Sequence, residues 1–272
     1  MGDWQRGVVM DLSGAIVLGT ATMGLRAHQR SRADDLATIR LAYDLGIRAF
    51  DTARVYAPAD DPLYAEMLLA EALYGLDDVL VMTKGGHFRT AEHGFAVDNS
   101  PTRLRRDVED SLRALRCERL DLYLLHRADD ESVPLADSVG ELAALREEGK
   151  IREIGVSNVR LDQLLAALDV APVAAVQNQY SPLCTDWSPV SRAGCDKVVA
   201  ECETRGIAYV AYSPLKTDGP PISEVRPDLV TERRSPAASL LAEVLALSPA
   251  VAVISGASRP ETVRDAVTAR RL

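Results

Sequence analysis

The sequence predicts an α/β fold of one kind, a (β/α)8 TIM barrel entered through a short N-terminal β-hairpin. Three observations lead there. Short apolar runs recur along the chain, and each is followed by a helical pattern. The runs are apolar throughout rather than alternating, as suits parallel strands covered on both faces. The third observation is where they stop: Phe50 runs into Asp51, Thr83 into Lys84, Leu125 into His126, Val176 into Gln177, Ala211 into Tyr212-Ser213, and Ile254 into Ser255-Gly256. An α/β barrel assembles its active site at the C-terminal ends of its strands, so polar groups belong there. The length of 272 residues suits a barrel of about 250.

Each element follows in order. Gln5 to Ser13, with Asp11 to Gly14 as a turn signal, reads as a hairpin able to plug the barrel's bottom. Ala15 to Gly19 is the first barrel strand, and Thr20 to Gly24 its rim loop. Ala33 to Leu45 sets Leu36, Ile39, Leu41, Ala42 and Leu45 on one helical face and closes at Gly46. Arg48 to Phe50 is the second strand, Pro62 to Leu73 the second helix, and Gly75 lies just past it. Val79 to Thr83 runs into Lys84, and Gly85 to Asn99 is a long polar connection. Ser100 as N-cap and Pro101 at the first helical position open a helix through Leu115, with Leu104, Val108, Leu112 and Leu115 inward. Leu120 to Leu125 stops at His126. Val133-Pro134 begins a helix to Glu148 that turns Leu135, Val139, Leu142 and Leu145 inward and ends before Gly149.

The fifth strand, Ile154 to Val156, leads to Ser157-Asn158, and a short helix covers Leu161 to Leu168. Ala174 to Val176 reaches Gln177. Ala193 to Arg205, with Gly206 behind it, precedes the strand Ala208 to Ala211. Residues 215–235 are rich in proline, glycine and charge, too polar for core; a connection this long is usually functional or mobile. Ala237 to Leu247, Val251 to Ile254 and Pro260 to Ala269 complete eight strands and eight helices. No break in composition divides the chain, so residues 1–272 are expected to form one domain.

Composition narrows the function classes. Hydrophobic residues make up 47% and charged residues 26%, the balance of a soluble globular protein. The net charge is -9, with no basic cluster beyond Arg233-Arg234 and Arg270-Arg271, which argues against nucleic acid and anionic membrane as partners. Cys117, Cys184, Cys195 and Cys202 lack Cys-x-x-Cys spacing and read as free thiols in a reducing cytosol. His28, His87, His93 and His126 are scattered without a His-x-His pair, so no metal site is expected. With no signal-like segment at the start and no apolar run of membrane length, a cytoplasmic location is expected. Oligomeric state is not legible.

Taken singly, Asp51 reads as a cap, Tyr56 as a loop tyrosine, Lys84 as a solvated lysine and His126 as a structural histidine. Their joint placement says more. Asp51 and Lys84 both end apolar strands, where an unpaired charge is costly and a pair is expected. A lysine cation beside a phenol stabilises its anion, which would make Tyr56 a better proton donor. With His126 to hold a substrate oxygen, the set is a general-acid constellation for carbonyl reduction.

At this point the chain resembles the aldo-keto reductase family over nearly its whole length. Phe50-Asp51-Thr52-Ala53 with Tyr56 resembles the family's Asp/Tyr motif, Val81-Met82-Thr83-Lys84 its lysine strand, and Asp121 to Arg127 its histidine strand. Ile154 to Asn158, Gln177 to Leu183 and Ala211 to Leu215 resemble its nicotinamide-holding segments, and Ile254 to Glu261 its adenosine-phosphate loop. The resemblance implies a catalytic tetrad of Asp51, Tyr56, Lys84 and His126. It implies that Ser157, Asn158 and Gln177 hold the carboxamide and that Tyr212 stacks on the nicotinamide. Gly19, Thr20, Asp51, Ser213, Pro214, Leu215, Gly256, Ser258, Arg259 and Thr262 complete the implied cofactor set.

Independently of the resemblance, the last of these segments is a strand, a glycine turn and a helix opened by Pro260, an arrangement whose free N–H groups favour an anion. Arg259 beside it favours a 2′-phosphate, hence NADPH, with NADH as the alternative. There is no Gly-x-Gly-x-x-Gly of a Rossmann dinucleotide site.

The chain departs from the family at Ala57, where glycine is usual, at Ala128 in place of proline, and at Thr262 and Ala266 beside the nucleotide loop. It ends at Leu272 without a long C-terminal loop, from which a wide mouth walled by Met23, His87, Phe88 and Trp187 is expected. Two function classes follow: a carbonyl reductase acting on a small aldehyde or ketone, or a cofactor-binding regulatory protein on the same barrel with little turnover.

Overall fold

In the computed structural model, which describes residues 11–90, 92, 94–130, 132–184, 191–230 and 234–270, eight apolar runs pair side by side and close on themselves. The strands are β1 (Ile16–Gly19), β2 (Ala49–Asp51), β3 (Leu80–Gly85), β4 (His87–Arg89), β5 (Phe95–Val97), β6 (Leu120–Leu125), β7 (Ile151–Ser157), β8 (Ala175–Gln179), β9 (Ala208–Tyr212) and β10 (Val251–Ser255). All but β4 and β5 form the closed parallel barrel, in chain order, with β10 returning to β1. The helices are α1 (Ala21–Leu25), α2 (Arg32–Asp44), α3 (Tyr64–Ala72), α4 (Pro101–Leu115), α5 (Leu135–Glu147), α6 (Leu161–Val170), α7 (Arg192–Arg205), α8 (Ile222–Val225), α9 (Pro236–Leu245) and α10 (Pro260–Val267).

Side chains alternate across a strand, so one set fills the barrel and the other meets the helices. Val17, Ala49, Leu80, Met82, Leu122, Leu124, Ala175, Val210 and Ala252 form the interior, with Leu12 closing its floor. Ile16, Leu18, Phe50, Val81, Tyr123, Val176, Tyr209 and Val253 pack outward against the helical layer. The interior is filled to contact: a Cβ on Gly155 would lie 2.7 Å from Leu124 Cγ. The same parity positions the site. Two residues beyond Met82 is Lys84, beyond Ala49 is Asp51, beyond Leu124 is His126, beyond Ala175 is Gln177, and beyond Val210 is Tyr212. Alternation that packs the core thus carries these five to the upper rim.

Local signals set the helix ends. Ser100 Oγ accepts from the Arg103 N–H at 3.3 Å with Pro101 at the first position, and Gly206 ends α7 at a φ of 67°. Four expectations are corrected. Thr20 to Gly24 is not a plain loop, because α1 begins at Ala21; five residues are too few to show a helical period. The connection Gly85 to Asn99 contains the antiparallel hairpin β4–β5, held by cation–π contacts, Arg89 over Phe95 at 4.7 Å and Arg103 over Phe88 at 3.8 Å, and not by an apolar pattern. Residues 215–235 contain α8 and a short turn that buries Leu229. On α2, Leu45 is exposed while Asp35 and Thr38 are buried. Residues 5–10 of the expected hairpin lie outside the described residues. Among the described residues no helix is long and apolar enough to cross a membrane.

Candidate active site

The floor of the barrel mouth is an ion pair. Lys84 is fully buried, and its ammonium places its protons on Asp51 Oδ1 at 2.8 Å, the Thr52 carbonyl at 2.9 Å and the Tyr56 hydroxyl oxygen at 3.3 Å. The second Asp51 oxygen accepts from the Gln177 side-chain amide at 2.8 Å, which ties β2, β3 and β8 together. Thr20 braces the same point: its N–H and its hydroxyl both donate to the Asp51 carbonyl, at 2.9 and 3.0 Å. Burial raises the Asp51 carboxyl and lowers the Lys84 amine, and each partner pulls the other back toward the charged pair. A buried pair persists on such terms when its remaining donors and acceptors are satisfied, as here.

Tyr56 stands on the loop after β2. The Arg54 N–H donates to the Lys84 carbonyl at 3.1 Å, and the Arg54 guanidinium holds the Pro62 carbonyl at 2.6 Å and Asp110 at 3.0 Å. From the other side α1 presses on the loop through Gly24, where a Cβ would fall 1.9 Å from the Tyr56 carbonyl oxygen. Ala57 is buried and keeps a negative φ, so glycine is not required there. The expected acidification of Tyr56 by Lys84 is reversed. Burial first, and the Asp51 charge second, hold the phenol well above its ordinary 10. The reason is that the Lys84 charge is already matched by Asp51 at 2.7 Å, so loss of water dominates.

The His126 ring meets the Tyr56 ring edge-on at 5.8 Å and the His87 ring at 5.0 Å. Burial, then the charge of Lys84, keeps His126 well below 6.5, so the imidazole is neutral. His87 is held at about 4, again chiefly by burial and then by Arg127. Arg127 itself is engaged by Asp129 through two hydrogen bonds at 2.7 and 2.6 Å.

Beside the floor, Asn158 takes a left-handed φ of 62° and Ser213 one of 53°, uncommon for residues with a side chain. Asn158 acts as a brace: its amide donates to the His126 carbonyl at 2.9 Å and to Ser157 Oγ at 3.1 Å, and its oxygen accepts from the Tyr212 hydroxyl at 2.7 Å.

One cavity of about 700 Å³ runs from this floor outward. Asp51, Tyr56, His126, Gly19, Ser157, Asn158, Gln177, Tyr212, Ser213, Pro214, Leu215, Gly256, Ser258, Arg259 and Thr262 all line it. Of the sequence-predicted residues, Lys84 and Thr20 lie behind the lining rather than on it. Thr262 is engaged in its own helix, donating to the Arg259 carbonyl at 2.8 Å. Among the expected walls only His87 lines the cavity; Met23 is core, Phe88 lies under Arg103, and Trp187 is outside the described residues. Sequence reasoning missed Thr22, Leu25, Arg127, Lys216, Leu241 and Asp265, which also line it. Arg127 was legible as the last residue of the histidine-strand motif and Lys216 as the neighbour of a recognised segment; Leu241, on an apolar helix face, was not.

Residues 15–220 match the profile of the Aldo/keto reductase family. An uncharacterized oxidoreductase of Schizosaccharomyces pombe is 34% identical over 236 residues, covering 86% of this chain and 73% of its own length. A Glycine max protein named as an aldo-keto reductase is 35% identical over 203 residues, 72% of this chain and 54% of its own. Among solved structures, a glycerol dehydrogenase from Gluconobacter oxydans superposes with a TM-score of 0.79 at 27% identity, over 96% of this chain and 88% of that one. An aldo-keto reductase from Klebsiella pneumoniae in complex with NADPH does so with a TM-score of 0.74 at 28% identity, over 95% of this chain and 86% of that one.

Proposed function

The chain belongs to the aldo/keto reductase family, and we propose that it is an NADPH-dependent oxidoreductase that reduces an aldehyde or ketone to the alcohol with Tyr56 as proton donor. The observation that carries this reading is the contact of Lys84 Nζ with the Tyr56 hydroxyl and Asp51 at the inner end of a cavity that continues to Arg259. The donor set fits the cofactor. Ser157 keeps a hydroxyl proton and Gln177 a carbonyl oxygen for a carboxamide, since Asn158 donates to the first and the Gln177 amide is committed to Asp51. Tyr212 offers an aromatic face, and the start of α10 with Arg259 offers N–H groups and a cation for a phosphate. The Klebsiella relative binds NADPH, in keeping with this choice. Bound NADPH supplies a hydride from its nicotinamide ring.

A carbonyl oxygen placed between the Tyr56 hydroxyl and the neutral His126 ring accepts hydrogen bonds from both and takes its proton from Tyr56. The high resting pKa of Tyr56 keeps that proton in place until negative charge develops on the substrate oxygen. The phenolate then left lies beside Lys84, and Asp51 and Gln177 hold Lys84 in position for it. In the reverse direction the same oxygen accepts the alcohol proton.

Calorimetric titration with NADPH and NADH, followed by a panel of small aldehydes and ketones watched through nicotinamide absorbance, tests the reading. Tyr56→Phe is expected to lower kcat/KM by about 10²–10⁴-fold, the usual worth of a general acid, while NADPH still binds. Equal turnover in the variant overturns the acid role. A wild-type chain that binds NADPH tightly and reduces no carbonyl favours the regulatory alternative.

A further inference from the structure

At the outer end of the cleft a smaller cavity of about 350 Å³ shares Ser258 and Arg259 with the main one. Its opposite wall is the approach to α2. There the Arg30 guanidinium is turned inward. Its Nε donates to Asp35 Oδ1 at 2.8 Å, and a terminal nitrogen donates to the same oxygen and to the Ser258 carbonyl. The contact joins residues 228 positions apart, and it is made to the loop that precedes Arg259. The Asp35 side chain is completely buried, and its Oδ2 has no partner among the described residues. A carboxylate in that position is tolerated only with a cation on it. Asp34 and Glu261 line the same small cavity and are exposed, so Arg30 and Arg259 are the two cations set against two carboxylates there, with the buried Asp35 behind them.

We propose that Arg30 and Asp35 form a latch that sets the preference for the phosphorylated dinucleotide, by fixing the Ser258–Arg259 loop and by cancelling a buried negative charge behind it. The inference rests on the NADPH reading above and deepens it. Arg30 is a positioning residue here. A guanidinium suits the task because its fork can hold a carboxylate and a carbonyl together, which an ammonium does less well. Removing it does two separable things. The loop loses an anchor, which affects any nucleotide, and the Asp35 charge is released, which opposes a phosphate and not a ribose hydroxyl.

Titration of the full chain with NADPH and with NADH separates these effects. Arg30→Met is expected to weaken NADPH about tenfold or more and NADH less than about threefold, as befits a charge left unpaired near a phosphate. Adding Asp35→Asn to Arg30→Met is expected to restore most of the NADPH affinity although the guanidinium is still missing. Arg30→Lys, which keeps the charge and is the milder change for folding, should retain the wild-type ratio of the two dissociation constants. Equal weakening of both nucleotides by Arg30→Met, or failure of Asp35→Asn to restore NADPH, overturns the latch and leaves the functional reading intact. A wild-type chain that binds the two nucleotides equally well also overturns it. Binding of neither nucleotide overturns both.

Discussion

The two ends of the cleft are built on opposite plans. At the inner end the protons of Lys84 are spent on Asp51, the Thr52 carbonyl and the Tyr56 hydroxyl, and Asp51 takes the amide of Gln177 as well, all out of water. At the outer end Arg259 and Glu261 are exposed, and Ser258 and Thr262 sit half-open on a surface turn. Charges held without water interact strongly and tolerate no missing partner, whereas exposed charges are screened and replaceable. The difference teaches where chemistry and stability are inseparable. Inner substitutions should disturb both together; those on the exposed Ser258–Thr262 turn should disturb nucleotide affinity alone, the buried Arg30–Asp35 pair behind that turn following the inner plan.

Substitution at the floor is expected to cost most. Lys84→Met leaves the Asp51 charge buried and unpaired, and is expected to destabilise the fold by about 3–5 kcal/mol while abolishing turnover. Urea unfolding measures the first and a carbonyl assay the second. Adding Asp51→Asn should recover stability and leave turnover lost; recovery of both would mean that the pair is structural only.

At the outer end, Arg259→Ala should weaken NADPH about tenfold at low ionic strength, with a smaller change in high salt and none for NADH. Its stability should stay within about 0.5 kcal/mol of wild type. A large loss of stability would erase the distinction between the two ends.

The smallest effect sharpens the boundary between them. His87, half-buried between the floor and the open mouth, is held at about 4 against an ordinary 6.5. Between these values the unfolded chain binds more protons than the folded one. The stability linked to a neutral His87 is therefore complete above about pH 6.5 and is lost as pH falls toward 4. His126 acts in the same direction, while the raised Asp51 and Glu66 carboxyls act in the opposite one. The measurement is therefore a difference between proteins. His87→Asn should show a flatter dependence of the urea midpoint on pH than wild type over this window. Parallel curves would show that His87 is not desolvated.

Much of this was legible in advance, for a local reason. An apolar run gives way to a polar residue within two positions of its strand's C-terminal end, so Asp51, Lys84, His126 and Gln177 announced their common rim from neighbours within the same run. Ser100-Pro101 announced its helix in the same way. The hairpin β4–β5 did not, because one cation–π contact to α4 and another between its own strands hold it, and three-residue strands carry no period.

What the chain determined by itself is the order of its elements and the parity of each strand, since both depend on residues a few positions apart. Only the tertiary structure decided which side chains neutralise one another. Asp51 cancels Lys84 and so reverses the expected effect on Tyr56, Asn158 braces His126 rather than standing free, and Arg30 reaches Ser258 across most of the sequence. Electrostatic balance and loss of water are sums over everything nearby in space, and closure of the barrel is what settles who is near.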